Sequence, residues 1–95
     1  LTLDSTDTAK KSCAILLVVD FYSQTLPRLI EFFAARGIAL DSLHLQAGVG
    51  EEALISIHCR IERDRIKHTQ ASLEKLVGVL QLDLMESRRT HLIKI

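Results

Sequence analysis

The chain has no tryptophan and no asparagine, and three phenylalanines and one tyrosine are all its aromatics, so its core must be built from aliphatic side chains. One proline and four glycines exclude collagen-like and Pro/Gly-rich low-complexity chains. Two cysteines are too few for a disulfide-stapled scaffold. No charge of either sign is in excess: twelve Lys and Arg balance twelve Asp and Glu, so the phosphate-neutralising term that dominates nucleic-acid binding is missing, and no nucleic-acid partner is expected. No apolar run approaches the roughly 20 residues needed to cross a bilayer as a helix, because the longest, Cys13 to Val19, has seven. The opening residues carry no signal-peptide pattern, and a cytoplasmic address is expected.

What is present is a modest aliphatic core. With 95 residues, 47% of them hydrophobic, the chain reads as one globular domain. A chain of this size buries roughly 65% of its unfolded surface. Residues 1–11, "LTLDSTDTAKK", are polar and unpatterned and are expected to form a poorly ordered tail, with the domain proper at 12–86 and an extension at 87–95. "CAILLVV" is apolar at every position, as in a strand covered on both faces or central in a sheet. Leu26, Leu29, Ile30 and Phe33 then recur at helical spacing, with Arg28, Glu31 and Ala35 opposite. Thr25 is the expected N-cap, Pro27 falls in the first turn, and Gly37 stands as a C′ glycine sealed by Ile38, so the helix should run from Leu26 to Arg36.

Two alternating segments follow. Leu43, Leu45 and Ala47 share one face, as do Ala53, Ile55, Ile57, Cys59 and Ile61. A three-residue loop at Val49, Gly50 and Glu51, with Gly50 left-handed, would set Leu45 against Ile55 and Leu43 against Ile57. A second helix is expected from Ile66, Leu73, Leu76 and Val77, with Asp64 as its N-cap and Gly78 as its stop. Leu80, Leu82 and Leu84 then alternate with Val79, Gln81 and Asp83 in an edge strand. "HLIKI" at the C-terminus is expected to add a fifth strand or to swap with a neighbouring chain. The order is strand, helix, strand, strand, helix, strand: an α+β, ferredoxin-like βαββαβ sandwich, with two helices on one face of a four-stranded antiparallel sheet. Right-handed crossovers place the first and third strands in the middle.

Catalytic signatures are missing. His44, His58, His68 and His91 stand in no metal-binding spacing, and His44 with His58 on the open sheet face lacks a third ligand, so no metal is expected. No nucleophile has a base at signature spacing, and no catalytic residue is assigned. Cys13 and Cys59 are expected as small buried hydrophobes. Gly48 and Gly50 fit a hairpin better than a phosphate loop, and the sheet offers no aromatics on which RNA bases could stack. The loop after the first strand is the remaining candidate: backbone N–H groups of residues 21 to 25 could take a carboxylate, or Ser23 and Thr25 could cap their own helix instead. The open face, with Ala14, Leu16, Val18 and Leu54, is too apolar to be left wholly to water and is expected to be a partner or dimer surface.

The segment "TLPRLIEFFAARGIALDSLHL" resembles the ACT domain, most closely the regulatory small subunit of acetohydroxyacid synthase, also called acetolactate synthase. The family's first helix has the form L-x-R-[VIL]-[IL]-x-x-[FV]-x-x-R-G-[YFI], matched here by Leu26, Arg28, Leu29, Ile30, Phe33, Arg36, Gly37 and Ile38, then by Ser42-Leu43. "LEKLVGVLQL" resembles its second helix and fourth strand, and the likeness spans residues 13 to 86. It implies a non-catalytic homodimer without a cofactor of its own, bound to the thiamine-diphosphate-dependent catalytic large subunit of branched-chain amino acid biosynthesis. It further implies an effector loop for valine or a related amino acid at Asp20, Phe21, Tyr22, Ser23, Gln24 and Thr25. Effector-sensing members carry N-x-x-G-x-L there. Phe21 and Gln24 replace the Asn and the Gly, which implies weak or absent feedback, as in short small subunits with a degenerate loop. The alternative is a free-standing ACT domain sensing a small amino acid at a homodimer interface.

Overall fold

The computed structural model of the protein describes residues 10–86. Strand β1 (Lys10–Val19) leads into helix α1 (Tyr22–Ala35), then strands β2 (Leu40–Ala47) and β3 (Ala53–Glu62). A 3₁₀ turn (Arg63–Arg65), helix α2 (Ile66–Glu74) and strand β4 (Val79–Glu86) complete it. The four strands form one antiparallel sheet in the order β2-β3-β1-β4, so β1 and β3 are central and β4 is an edge. β1 begins two residues ahead of Ser12, where folding was expected to start. The rest of the expected N-terminal tail, and the expected extra or swapped strand at 87–95, lie outside the described residues.

The core follows from strand alternation. Cys13, Ile15, Leu17 and Val19 of β1 and Ala53, Ile55, Ile57, Cys59 and Ile61 of β3 point to one face, where Leu29, Phe32 and Phe33 of α1 and Ile66 and Leu73 of α2 cover them. Phe32 and Phe33 pack edge to face with ring centroids 5.4 Å apart. Among the described residues no element covers the opposite face of β1, so there its unbroken apolar run goes with a central position in the sheet. The β2–β3 hairpin has the expected register, Leu45 opposite Ile55 and Leu43 opposite Ile57, with Gly50 left-handed at φ 65°.

Both helices differ from their expected limits. α1 begins at Tyr22, four residues early, because Phe21 takes the left-handed conformation (φ 48°, ψ 57°) and turns the chain into the helix at once. Thr25 is therefore inside the first turns, buried, and not an N-cap. The buried stripe is Thr25, Leu29, Phe32 and Phe33, so Ile30 lies out at 47% exposure. The far end is as expected: the Ile38 N–H donates to the Phe33 carbonyl (3.0 Å) and the Gly37 N–H to Ala34 (3.1 Å), a Schellman closure with Gly37 at φ 68°. α2 ends at Glu74, short of Gly78, because Lys75 and Leu76 donate to the Ser72 and Leu73 carbonyls in tighter, 3₁₀-type bonds. Val77 is consequently 73% exposed, and Asp64 sits in the 3₁₀ turn without capping α2. In β4 a bulge opposite Val18 and Val19 puts one extra residue into the strand, so Val79 pairs with Val19 and Leu80 is turned outward.

Candidate functional site

The loop after β1 is a closed corner. The Asp20 N–H donates to the Gly78 carbonyl (2.8 Å), the Phe21 N–H to the Asp20 Oδ1 carboxylate (2.9 Å), and the Tyr22 N–H to the Glu51 carbonyl (3.2 Å). Gln24 and Thr25 both donate to the Phe21 carbonyl, at 2.9 and 3.0 Å. The Thr25 hydroxyl donates to the Asp20 carbonyl at 2.7 Å, and its side chain abuts Gly78 so closely that a Cβ there would fall 2.3 Å from Oγ1. Most amides that could have gripped a carboxylate are thus already satisfied inside the protein. Of the six expected effector residues, Thr25 is buried, Asp20 and Tyr22 are half-buried, and Phe21, Ser23 and Gln24 are exposed.

The left-handed residue is Phe21, while Gln24 lies within α1. Asn tolerates the left-handed region at little cost, whereas a bulky aromatic there is strained. The position that takes positive φ is thus the one where the resemblance has an Asn, not the one where it has a Gly.

Ala14, Leu16, Val18 and Leu54 are brought together on the open face, since Ala14 pairs with His58, Leu16 with Ser56 and Val18 with Leu54. Ala14 and Val18 are half-buried, while Leu16 and Leu54 are 41% and 39% exposed. Met85, opposite Ala14 on β4 and exposed, extends the patch. Sequence reasoning passed it over, although strand alternation puts it on that face. Val18 and Leu54 also line a hollow of about 200 Å³ with Gln46, Gly48 and Glu52. On the same face Ser42 Oγ lies 3.1 Å from His58 Nδ1, and no group of three metal-ligating side chains occurs among the described residues.

Cys13 and Cys59 stand opposite each other on β1 and β3, both buried and free. Burial raises both thiols, Cys59 to about 12, because a thiolate would be stranded in the aliphatic core. Glu86 adds to the effect at Cys13; Cys13 and Asp41 add to it at Cys59. Neither thiol suits nucleophilic or metal chemistry at neutral pH.

Two further concavities had no counterpart in the sequence reading. A groove of about 690 Å³ between the helices is lined by Arg28, Glu31, Phe32, Ala35, Leu76 and Val77. It exists because α2 stops early, leaving Leu76 and Val77 beside α1. Just beyond the end of α1, Lys10, Arg36, Gly37, Ile38, Arg60, Glu62 and Arg65 line a smaller, polar hollow. The cations that line it are far apart in sequence. The signal that would have found them is topological: the start of β1, the end of α1 and the end of β3 all lie at one end of a βαββ unit.

No protein-family model matches the sequence, and no curated protein does either. Solved structures do match in fold. The ACT domain from GTP pyrophosphokinase of Chlorobium tepidum superposes with TM-score 0.67 at 13% identity, over 87% of this chain and 94% of that domain. An uncharacterized protein from Thermotoga maritima gives 0.66 at 15% identity, over 83% and 99% of the two chains. The C-terminal domain of the MgtC protein from Mycobacterium tuberculosis gives 0.65 at 8% identity, over 85% and 92%. At these identities the likeness is one of architecture, and it agrees with the strand order and the two helices found above: this chain has an ACT-like fold.

Proposed function

We propose that this protein is a non-catalytic regulatory subunit of a thiamine-diphosphate-dependent acetohydroxyacid synthase, working as a homodimer bound to the catalytic large subunit, with weak or absent feedback by valine. The observation that carries this reading is the α1 pattern, Leu26 through Ile38. Leu29 and Phe33 fill the core, and Gly37 and Ile38 close the helix. The closed corner at residues 20 to 25 supports the loss of sensing, since Thr25 and Gly78 occupy the space and Glu51 takes the Tyr22 amide. For contact with a second copy or with the large subunit, the reading uses the open-face patch of Ala14, Leu16, Val18 and Leu54. A free-standing amino acid sensor needs an accessible loop, and the hydrogen bonding of this corner weighs against it.

The test is reconstitution. Purified protein mixed with a cognate large subunit should raise acetolactate formation and co-elute with it on size exclusion, and valine should change the rate little. Neither co-elution nor activation would sink the reading. A marked thermal stabilisation by one common amino acid, without any large subunit, would favour the free-standing sensor instead.

A further inference from the structure

We propose that the basal hollow between the start of β1, the end of α1 and the β3–α2 junction is a binding site for a small phosphate-bearing anion. The hollow is about 160 Å³ and is lined by the residues Lys10, Arg36, Arg60 and Arg65, with Glu62, Gly37 and Ile38. Four cationic residues against Glu62 and the Asp41 carboxylate paired with Arg60 make a local charge of plus two in a chain whose total is zero. A single carboxylate ligand would neutralise half of that. A phosphate monoester or a pyrophosphate, with two or more charges, matches it better.

Each guanidinium has a neighbour within the protein. Arg36 lies over the Phe32 ring, its Cζ 3.7 Å from the centroid, and Nη1 donates to the Phe32 carbonyl at 3.4 Å. Arg60 meets Asp41 through Nη2 at 3.3 Å, and Arg65 meets Glu62 through Nε at 3.7 Å. Each of these contacts uses one nitrogen, and an arginine has five N–H donors in its fork, so donors remain for an oxyanion. No ion pair among the described residues engages Lys10. The helix ends nearly cancel: the C-terminus of α1 at Gly37 is unfavourable to an anion, and the N-terminus of α2 beyond Arg65 is favourable. The side chains therefore decide the sign. The site shares no residue with the β1–α1 corner and does not depend on the catalytic partner.

Calorimetric and amide-shift titrations of the whole chain with inorganic pyrophosphate test this, with a sugar phosphate as a second arm to distinguish a free inorganic anion from a phosphate ester. Saturable one-to-one binding is expected, with shifts centred on Lys10, Gly37, Ile38 and Glu62. Arg65→Gln and Lys10→Gln, both at exposed positions, should each weaken it about tenfold, the loss of one charge-assisted contact. Lys67→Gln, outside the hollow, should leave affinity within about twofold. The proposal is overturned by no saturation at millimolar pyrophosphate, by equal weakening in Lys67→Gln, or by shifts spread evenly over the surface. It is also overturned if citrate binds as tightly as pyrophosphate, since the site would then read charge alone.

Discussion

The two ends of the sheet are built on different physics. At the end where β1 turns into α1, small groups fit without slack: the Thr25 side chain abuts the Cα of Gly78, and backbone amides from three segments bond one another. At the other end, long charged side chains meet at the surface through single nitrogen contacts, with side-chain exposures of 46% to 61% in the Asp41–Arg60 and Glu62–Arg65 pairs. Packed contacts lose their energy over fractions of an ångström, while exposed ion pairs lose little when stretched. The first end should therefore be intolerant of change, and the second tolerant in stability though not in what it binds.

The sharpest way to break that contrast is Gly78→Ala. The new Cβ would collide with Thr25 Oγ1, and φ at 101° is unfavourable to any side chain, so urea unfolding should show a loss of about 3 kcal/mol. Adding Thr25→Ala removes the collision but not the backbone strain, so the double variant should be less destabilised than the sum of the singles. Additivity within error would mean that the contact carries no strain.

The core near the basal end responds to alkali. Cys59 is held neutral when folded, up to about 12, against 9.0 for the free thiol. Above that lower value the unfolded chain gives up a proton that the folded chain keeps, so stability is present below pH 9 and falls as pH rises toward 12. The slope from one such thiol is about 1.4 kcal/mol per pH unit. Denaturation midpoints from pH 8.5 to 11 should fall less steeply in Cys59→Ala than in the parent, and equal slopes would refute the assignment.

A stabilising change should come from Phe21→Gly. It relieves a left-handed aromatic that is 53% exposed, and a gain of about 1 kcal/mol is expected, offset in part by the greater freedom of glycine when unfolded. A thermal midpoint unchanged or lowered would show that the Phe21 ring is packed more usefully than its exposure suggests. Smallest is Asp41→Asn at the basal end, where breaking one exposed pair with Arg60 should cost less than about 0.5 kcal/mol by chemical denaturation. A loss beyond 1 kcal/mol would erase the distinction between the two ends.

Much of the fold was legible because it rests on periodicity. Alternation in β2 and β3 and a glycine at a hairpin position yield the register, and Arg36-Gly37-Ile38 marks the end of α1. The start of α1 was not legible. Thr25 has the chemistry of an N-cap, and nothing local says that its hydroxyl will be buried against Gly78, 53 positions away. Ile30 and Val77 were placed inward by spacing that no longer held once α1 began four residues early and α2 stopped at Glu74. Leu80 was turned outward by a bulge that depends on pairing with Val18 and Val19. The candidate loop was legible as a position, but its closure depends on carbonyls of Glu51 and Gly78 supplied by distant turns.

Side-chain spacing along the chain sets which segments are strands and helices and the order that makes them a βαββαβ sandwich. The closure of the β1–α1 corner, and the meeting of Lys10, Arg36, Arg60 and Arg65 around one hollow, come from the folded arrangement. Both depend on contacts between residues far apart in sequence, whose energies exist only once the sheet has brought its ends together.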